Sequence, residues 1–192
     1  MAALWLALVS AGFGALSIYK STPGAAAIAP ATWPAGSALE RAGENATLVM
    51  FAHPRCPCTR ASMSELARLL SRLPAPPRVY VVFLSPRGTD RDWVETDLWR
   101  SAARLPGARV IADADGREAA RFSVATSGTT LVYDAAGRLI FSGGLTASRG
   151  HEGDSFGQHR LLALLTGREA DRRTSPVFGC ALDEPTAKEI AP

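Results

Sequence analysis

Cysteine and histidine are scarce in this 192-residue sequence, with three of each, and its charges never gather into a block. Each shortage removes a class of function. The arginines behind the net charge of +3 are scattered, so no basic stripe is available to track a phosphate backbone, and nucleic acid is not an expected partner. Covalent haem attachment is excluded, because no Cys-x-x-Cys-His is present. A structural zinc site lacks its second cysteine pair, and Cys-x-Cys is tighter than the usual ligand spacing. Three cysteines in an oxidising compartment permit one disulfide and leave one thiol over, which suggests redox chemistry more than a structural framework. There is no internal repeat, and 47% hydrophobic residues suffice for one core of ordinary size plus some additional chain.

Charge is missing altogether from Ala2 to Tyr19, a run that carries Leu4, Trp5, Leu6, Leu8, Val9, Phe13, Leu16 and Ile18. A helix of this length nearly spans a hydrocarbon core, which needs about 20 residues. Residues 1–20 therefore read as a signal anchor. The alternative is a cleaved signal peptide, with small residues at Gly24 to Ala27 as cleavage points. The length of the run and the lack of a basic segment before it favour the anchor, although Lys20 argues weakly against export by the positive-inside rule. In both cases the remainder is exported, and an anchor holds it on the periplasmic side of a bacterial inner membrane. Residues 21–36, rich in Ala, Pro, Gly and Thr, read as a linker. A folded domain is expected over residues 37–167, followed by a polar tail, 168–192, that contains Cys180.

Thr47 to Ala52 is a short β-rich run leading into His53-Pro54-Arg55-Cys56-Pro57-Cys58. From Pro57 the pattern turns helical, with Met63, Leu66, Ala67, Leu70 and Leu73 at three- and four-residue steps until Pro74. Proline suits the first helical position, which puts Cys56 at the N-cap and Cys58 in the first turn. Val79 to Leu84 predicts a strand buried on both faces. Asp90 predicts a capped helix reaching about Arg104, followed by a strand at Arg109 to Ala112 and a short helix from Arg117 to Phe122. Thr129 to Tyr133 and Leu139 to Ser142, joined by Asp134-Ala135-Ala136-Gly137, predict an antiparallel hairpin. Ser155 predicts a last helix through Leu165. Strand and helix alternating, then a hairpin, imply an α/β fold with a mixed sheet and helices on both faces.

A cysteine at a helix start is where thiol chemistry is easiest, because the helix N-terminus favours the thiolate. Cys56, exposed at the N-cap beside His53 and Arg55, is the expected nucleophile. Cys58, turned toward the core, is the expected resolving thiol. A disulfide across one residue closes a small, strained ring, which makes it oxidising. His53 either steadies a thiolate or is an ordinary hydrogen-bonding residue, and Arg55 and Arg60 read as solvated side chains. The rival reading is Cu(I) binding by Cys56, Cys58 and His53, with Cys180, His151 or His159 completing the site. Cys180 is either a third working thiol or a lone cysteine on a tail.

At these residues the sequence resembles the thioredoxin superfamily. The resemblance spans about Ala46 to Thr166 and rests on the strand, the cysteines at a helix start, and Ser127-Gly128-Thr129-Thr130-Leu131-Val132-Tyr133-Asp134. This stretch is similar to the segment that approaches the active site in the membrane-anchored TlpA/ResA branch, and HPRCPCTRAS looks like bacterial RedB-type proteins. The resemblance implies a three-layer thioredoxin-like fold, protein thiols and disulfides as partners, no cofactor, and supporting roles for Pro57, Gly128 and Thr129. It also implies that the loop Gly143 to His159 lies away from the cysteines. Two departures stand out. The family's Cys-x-x-Cys is here Cys-Pro-Cys, and its proline ahead of the hairpin strand is Gly128.

Overall fold

The computed structural model describes residues 1–182. The first helix, α1, covers Ala2–Ser21 and is long and apolar enough to cross a membrane, with none of it buried against the rest of the chain. Five strands form one sheet: β1 (Thr47–Ala52), β2 (Arg78–Ser85), β3 (Ala108–Ala114), β4 (Thr130–Tyr133) and β5 (Leu139–Gly143). Their order is β3-β2-β1-β4-β5, with β1, β2 and β3 parallel and the β4-β5 hairpin antiparallel to β1. Every residue of β1 is buried, as a central strand covered on both faces requires.

The alternating side chains of β1 and β2 feed two cores. Leu48, Met50, Val79, Val81 and Phe83 meet α2 (Pro57–Ser71), α4 (Asp97–Ala102) and α6 (Phe156–Leu165). Val49, Phe51, Tyr80 and Val82 point the other way, toward α5 (Arg117–Arg121). The mixed sheet with helices on both faces agrees with the sequence expectation.

Two segments depart from it. The single helix expected from Asp90 to Arg104 is split into α3 (Arg91–Val94) and α4, because Thr96 leaves the helical conformation. The Thr96 hydroxyl instead donates to Pro54 O at 3.0 Å, so the break braces the loop ahead of the cysteines. Residues 21–36, expected as a spacer, lie along the domain. Trp33 N donates to Gly137 O at 2.7 Å and Leu139 N to Ala31 O at 2.8 Å, while the Tyr133 hydroxyl donates to Pro30 O at 3.1 Å. The Trp33 ring meets Phe122 and Tyr133 edge-on at 5.1 and 5.2 Å. Composition alone misses this, since an extended proline-rich segment can cover an apolar face without a core of its own.

Candidate functional site

β1 ends by handing the chain to a tight loop in which Cys56 N donates to His53 O at 3.1 Å. Pro57 then opens α2, leaving Cys56 as N-cap in extended conformation and Cys58 in the first turn. Pro57 itself is exposed between two buried cysteines. His53 is buried, its Nδ1 accepts from Arg55 N at 3.0 Å, and its ring stands against Trp93 at 5.6 Å. The Arg55 guanidinium lies over the same indole at 4.9 Å, and Arg60 pairs with Asp97. These contacts hold the loop rigid and account for both arginines without involving a thiol.

Opposite the start of α2 runs the segment that precedes β4. Ser127 Oγ accepts from His53 N at 2.8 Å and shares a 2.7 Å hydrogen bond with Thr59 Oγ1. Gly128 adopts a φ of +89°, and a Cβ there would lie 2.9 Å from Ser62 Oγ, so a glycine fits both the turn and the close approach to α2. Gly128 N donates to Phe51 O at 2.7 Å. Thr129 is fully buried and pins the turn, its hydroxyl donating to Thr126 O at 2.6 Å.

The tail returns to this same segment. Thr126 and Ala181 form an antiparallel bridge, Ser127 N donates to Cys180 O at 2.8 Å, and Leu182 N donates to Ala125 O at 2.9 Å. Glycine at 179 permits the approach, because a Cβ there would fall 1.9 Å from Ser127 O. Cys180 N then donates to Cys56 Sγ at 3.4 Å. The three thiols are unpaired, and Cys58 and Cys180 both lie close enough to Cys56 to feel its charge.

Their acidities differ accordingly. Burial pushes the Cys56 thiol up, but hydrogen bonds from Cys180 and Thr59 outweigh it and hold it below the ordinary thiol range. Burial and the neighbouring Cys56 charge raise Cys58, with Arg149 opposing them. Burial, then Cys56, pushes Cys180 up to about 12.

Two expectations fail here. Cys56 is 1% exposed against 8% for Cys58, the reverse of the expected order, because the tail covers the N-cap sulfur. The loop from Gly143 to His159 also reaches the cysteines. It is anchored to α2 by Glu65, which is fully buried and accepts from Gly153 N at 2.7 Å and Gln158 Nε2 at 2.8 Å. Arg149 on this loop donates to Gly179 O at 2.5 Å, favours the charged forms of Cys58 and Cys180, and stacks on Tyr19 at 4.8 Å. Neither Thr59, Arg149 nor Glu65 stands out in the sequence as a site residue. His151 and His159 are exposed, with His159 Nε2 3.7 Å from Asp154. Among the described residues no group of three or more His, Cys, Asp or Glu side chains is arranged to hold a metal ion.

The parallel β1-β2-β3 unit, the antiparallel hairpin beside β1 and the cysteines at the start of the helix after β1 decide the architecture. The fold is thioredoxin-like. No protein-family model and no curated protein matches the chain. Solved structures do. The thioredoxin-like chain is 22% identical to a hypothetical protein from Sinorhizobium meliloti 1021, over 86% of its own length and 96% of the other, at a TM-score of 0.57. It is 21% identical to an uncharacterized conserved protein from Geobacillus kaustophilus, over 87% and 94%, at 0.56. An exposed lipoprotein thioredoxin from Streptococcus pneumoniae strain TIGR4 matches at 17% identity, over 65% and 86%, at 0.46.

Proposed function

We propose that the protein is an exported, membrane-anchored thiol-disulfide oxidoreductase acting on partner proteins through Cys56 and a neighbouring thiol, for which the sequence motif nominates Cys58. The observation that carries this reading is the setting of Cys56: it is the N-cap of α2 directly after the central strand β1, and its buried Sγ accepts from Cys180 N at 3.4 Å, a setting that favours the charged sulfur. A thiolate is the attacking species in disulfide exchange, and a helix N-terminus with hydrogen-bond donors stabilises it. The apolar α1 supports membrane attachment. The exchange draws on the protein's own sulfurs and needs no cofactor.

Reduction of insulin by dithiothreitol tests the reading. Purified full-length protein in detergent is expected to shorten the lag before insulin precipitates, and Cys56→Ser to restore the uncatalysed lag. No acceleration by the wild type refutes the proposal. So does stoichiometric copper in protein purified under reducing conditions, if Cys56→Ser removes it.

A further inference from the structure

The motif supplies Cys58 as the second thiol, yet the chain brings a different sulfur to Cys56 from more than a hundred residues away. We propose that Cys180 is the resolving thiol of Cys56, so that the working disulfide of this protein is Cys56–Cys180. The inference rests on the exchange reading above and names the residue that completes it.

Three observations carry it. The tail is not loosely near the site. It forms an antiparallel bridge against Ala125 to Ser127 through two backbone hydrogen bonds, and only a glycine at 179 lets it come this close. Val177 and Leu182, on either side of Cys180, are each 5% exposed and fix the register. This register sets Cys180 N on Cys56 Sγ at 3.4 Å. Cys58 is less well placed to close a disulfide. One residue separates it from Cys56, so the bridge would be a small strained ring across the N-cap and first turn of α2, whereas Cys56–Cys180 joins two distant segments already in contact.

The chemistry balances as follows. The Cys56 thiolate attacks one sulfur of a client disulfide, the client S–S bond breaks, and the departing client sulfur takes up a proton. Cys180 then gives up its proton and attacks Cys56 Sγ. The mixed disulfide breaks, the second client sulfur leaves as a thiol, and the Cys56–Cys180 bond remains. One client disulfide becomes two thiols while two thiols of this chain become one disulfide. The neighbouring charge favours this order of events. Burial is the main reason that Cys180 stays protonated, and while Cys56 is a thiolate its charge adds to that effect. Once Cys56 is tied up in a mixed disulfide that charge is gone, and Cys180 ionises more readily. Because the tail covers Cys56, it must lift for a client to enter, and its return delivers the resolving sulfur.

Oxidised glutathione serves as the client in the test. Reduced full-length protein in detergent is exposed to an excess, quenched in acid, alkylated and mapped by trypsin. Arg55 and Arg60 bracket Cys56 and Cys58 in one peptide, while Cys180 follows Arg173 in another, so the two possible disulfides are distinguishable. Wild type and Cys58→Ser are expected to give the cross-linked pair of peptides with no retained glutathione. Cys180→Ser, which keeps a hydroxyl donor, is expected to retain one glutathione on Cys56 at least tenfold longer than wild type. A disulfide confined to the Cys56-to-Arg60 peptide in the wild type overturns the inference without reliance on any variant. Clearance of glutathione by Cys180→Ser at the wild-type rate also overturns it, while leaving Cys56 exchange intact. Failure of every form to react with oxidised glutathione brings down the exchange reading itself.

Discussion

Cys180 N lies 3.4 Å from Cys56 Sγ, and the same tail residue accepts through its carbonyl from Ser127 N at 2.8 Å. One residue thus spans the gap between the helix that carries the cysteines and the segment entering β4. The N-cap sulfur, which helix geometry alone would leave exposed, is instead the most shielded of the chain's three thiols.

The first prediction concerns this contact. Because the hydrogen-bond donors favour the charged sulfur, the folded-state pKa of Cys56 is depressed. Its thiolate is therefore present at pH values where an ordinary thiol is protonated, and is lost as pH falls through the folded-state value. Cys180→Ala removes the strongest of the favourable hydrogen bonds, so the Cys56 titration should move up. Cys180→Ser should move it less. Ultraviolet thiolate absorbance followed against pH in the Cys58→Ser background reads the shift, and an unchanged curve in Cys180→Ala contradicts the assignment.

Arg149 should act on the other two thiols. Its guanidinium opposes the rise in pKa that burial and Cys56 impose on Cys58 and Cys180, and it holds the tail through Gly179 O. Its Nε is buried with no hydrogen-bond partner among the described residues, so the group is already partly desolvated where it works. Arg149→Met should raise both titrations further and speed amide exchange at Ser127, whose N–H is covered by the tail. Unchanged exchange there would show that Arg149 does not hold the tail.

Glu65 is the test of how the loop is held. Its carboxylate is fully buried, bonded to Arg68 at 2.8 Å, Gly153 N and Gln158 Nε2. Removing the carboxylate strips the closest acceptor from Gly153 N and Gln158 Nε2, at a cost of about 1–3 kcal/mol for each buried donor, while the half-exposed Arg68 can turn to water. Glu65→Ala should lower urea stability by that order, with Glu65→Gln costing less because it keeps an acceptor. A loss below about 1 kcal/mol in Glu65→Ala would mean that the network is dispensable.

Much of the fold is legible in the sequence because its signals are local. Hydrophobic period marks β1, β2 and α2, Pro57 marks the helix start, Ser155 caps α6 through its bond from Gln158 N, and Asp134 and Gly137 mark the hairpin. Cys56, Cys58 and Gly128 are found from the same cues. What escapes is non-local. Cys180 and Arg149 are joined to Cys56 and Cys58 only after a tail and a loop have folded back, and no periodicity encodes that return. Thr96 escapes for a related reason, since its bond to Pro54 O outweighs the helical pattern around it.

The last prediction concerns α1. Its run from Ala2 to Tyr19 is uncharged and has no buried residue, with Leu4, Trp5, Leu8, Phe13 and Ile18 all open to the surroundings, a face that a bilayer would cover and water would not favour. The mature protein should therefore stay in membranes through an alkaline wash, with its amino terminus intact by mass. The end of α1 and the residues just after it are also bound to the site. Lys20 O accepts from Arg149 N at 3.0 Å, Gly24 N donates to Val177 O at 2.8 Å, and Ala25 O accepts from the Thr126 hydroxyl at 2.9 Å. Removal of residues 1–26 would cut these ties while leaving Pro30 to Trp33 docked on the hairpin. The shortened protein should remain folded but lose part of what holds the tail over Cys56, so Cys56 should be alkylated several-fold faster than in the full-length chain at the same pH. Recovery of a soluble natural form beginning near residue 25 would refute the anchor. Equal alkylation rates in the two forms would show that the anchor and the thiol site are independent.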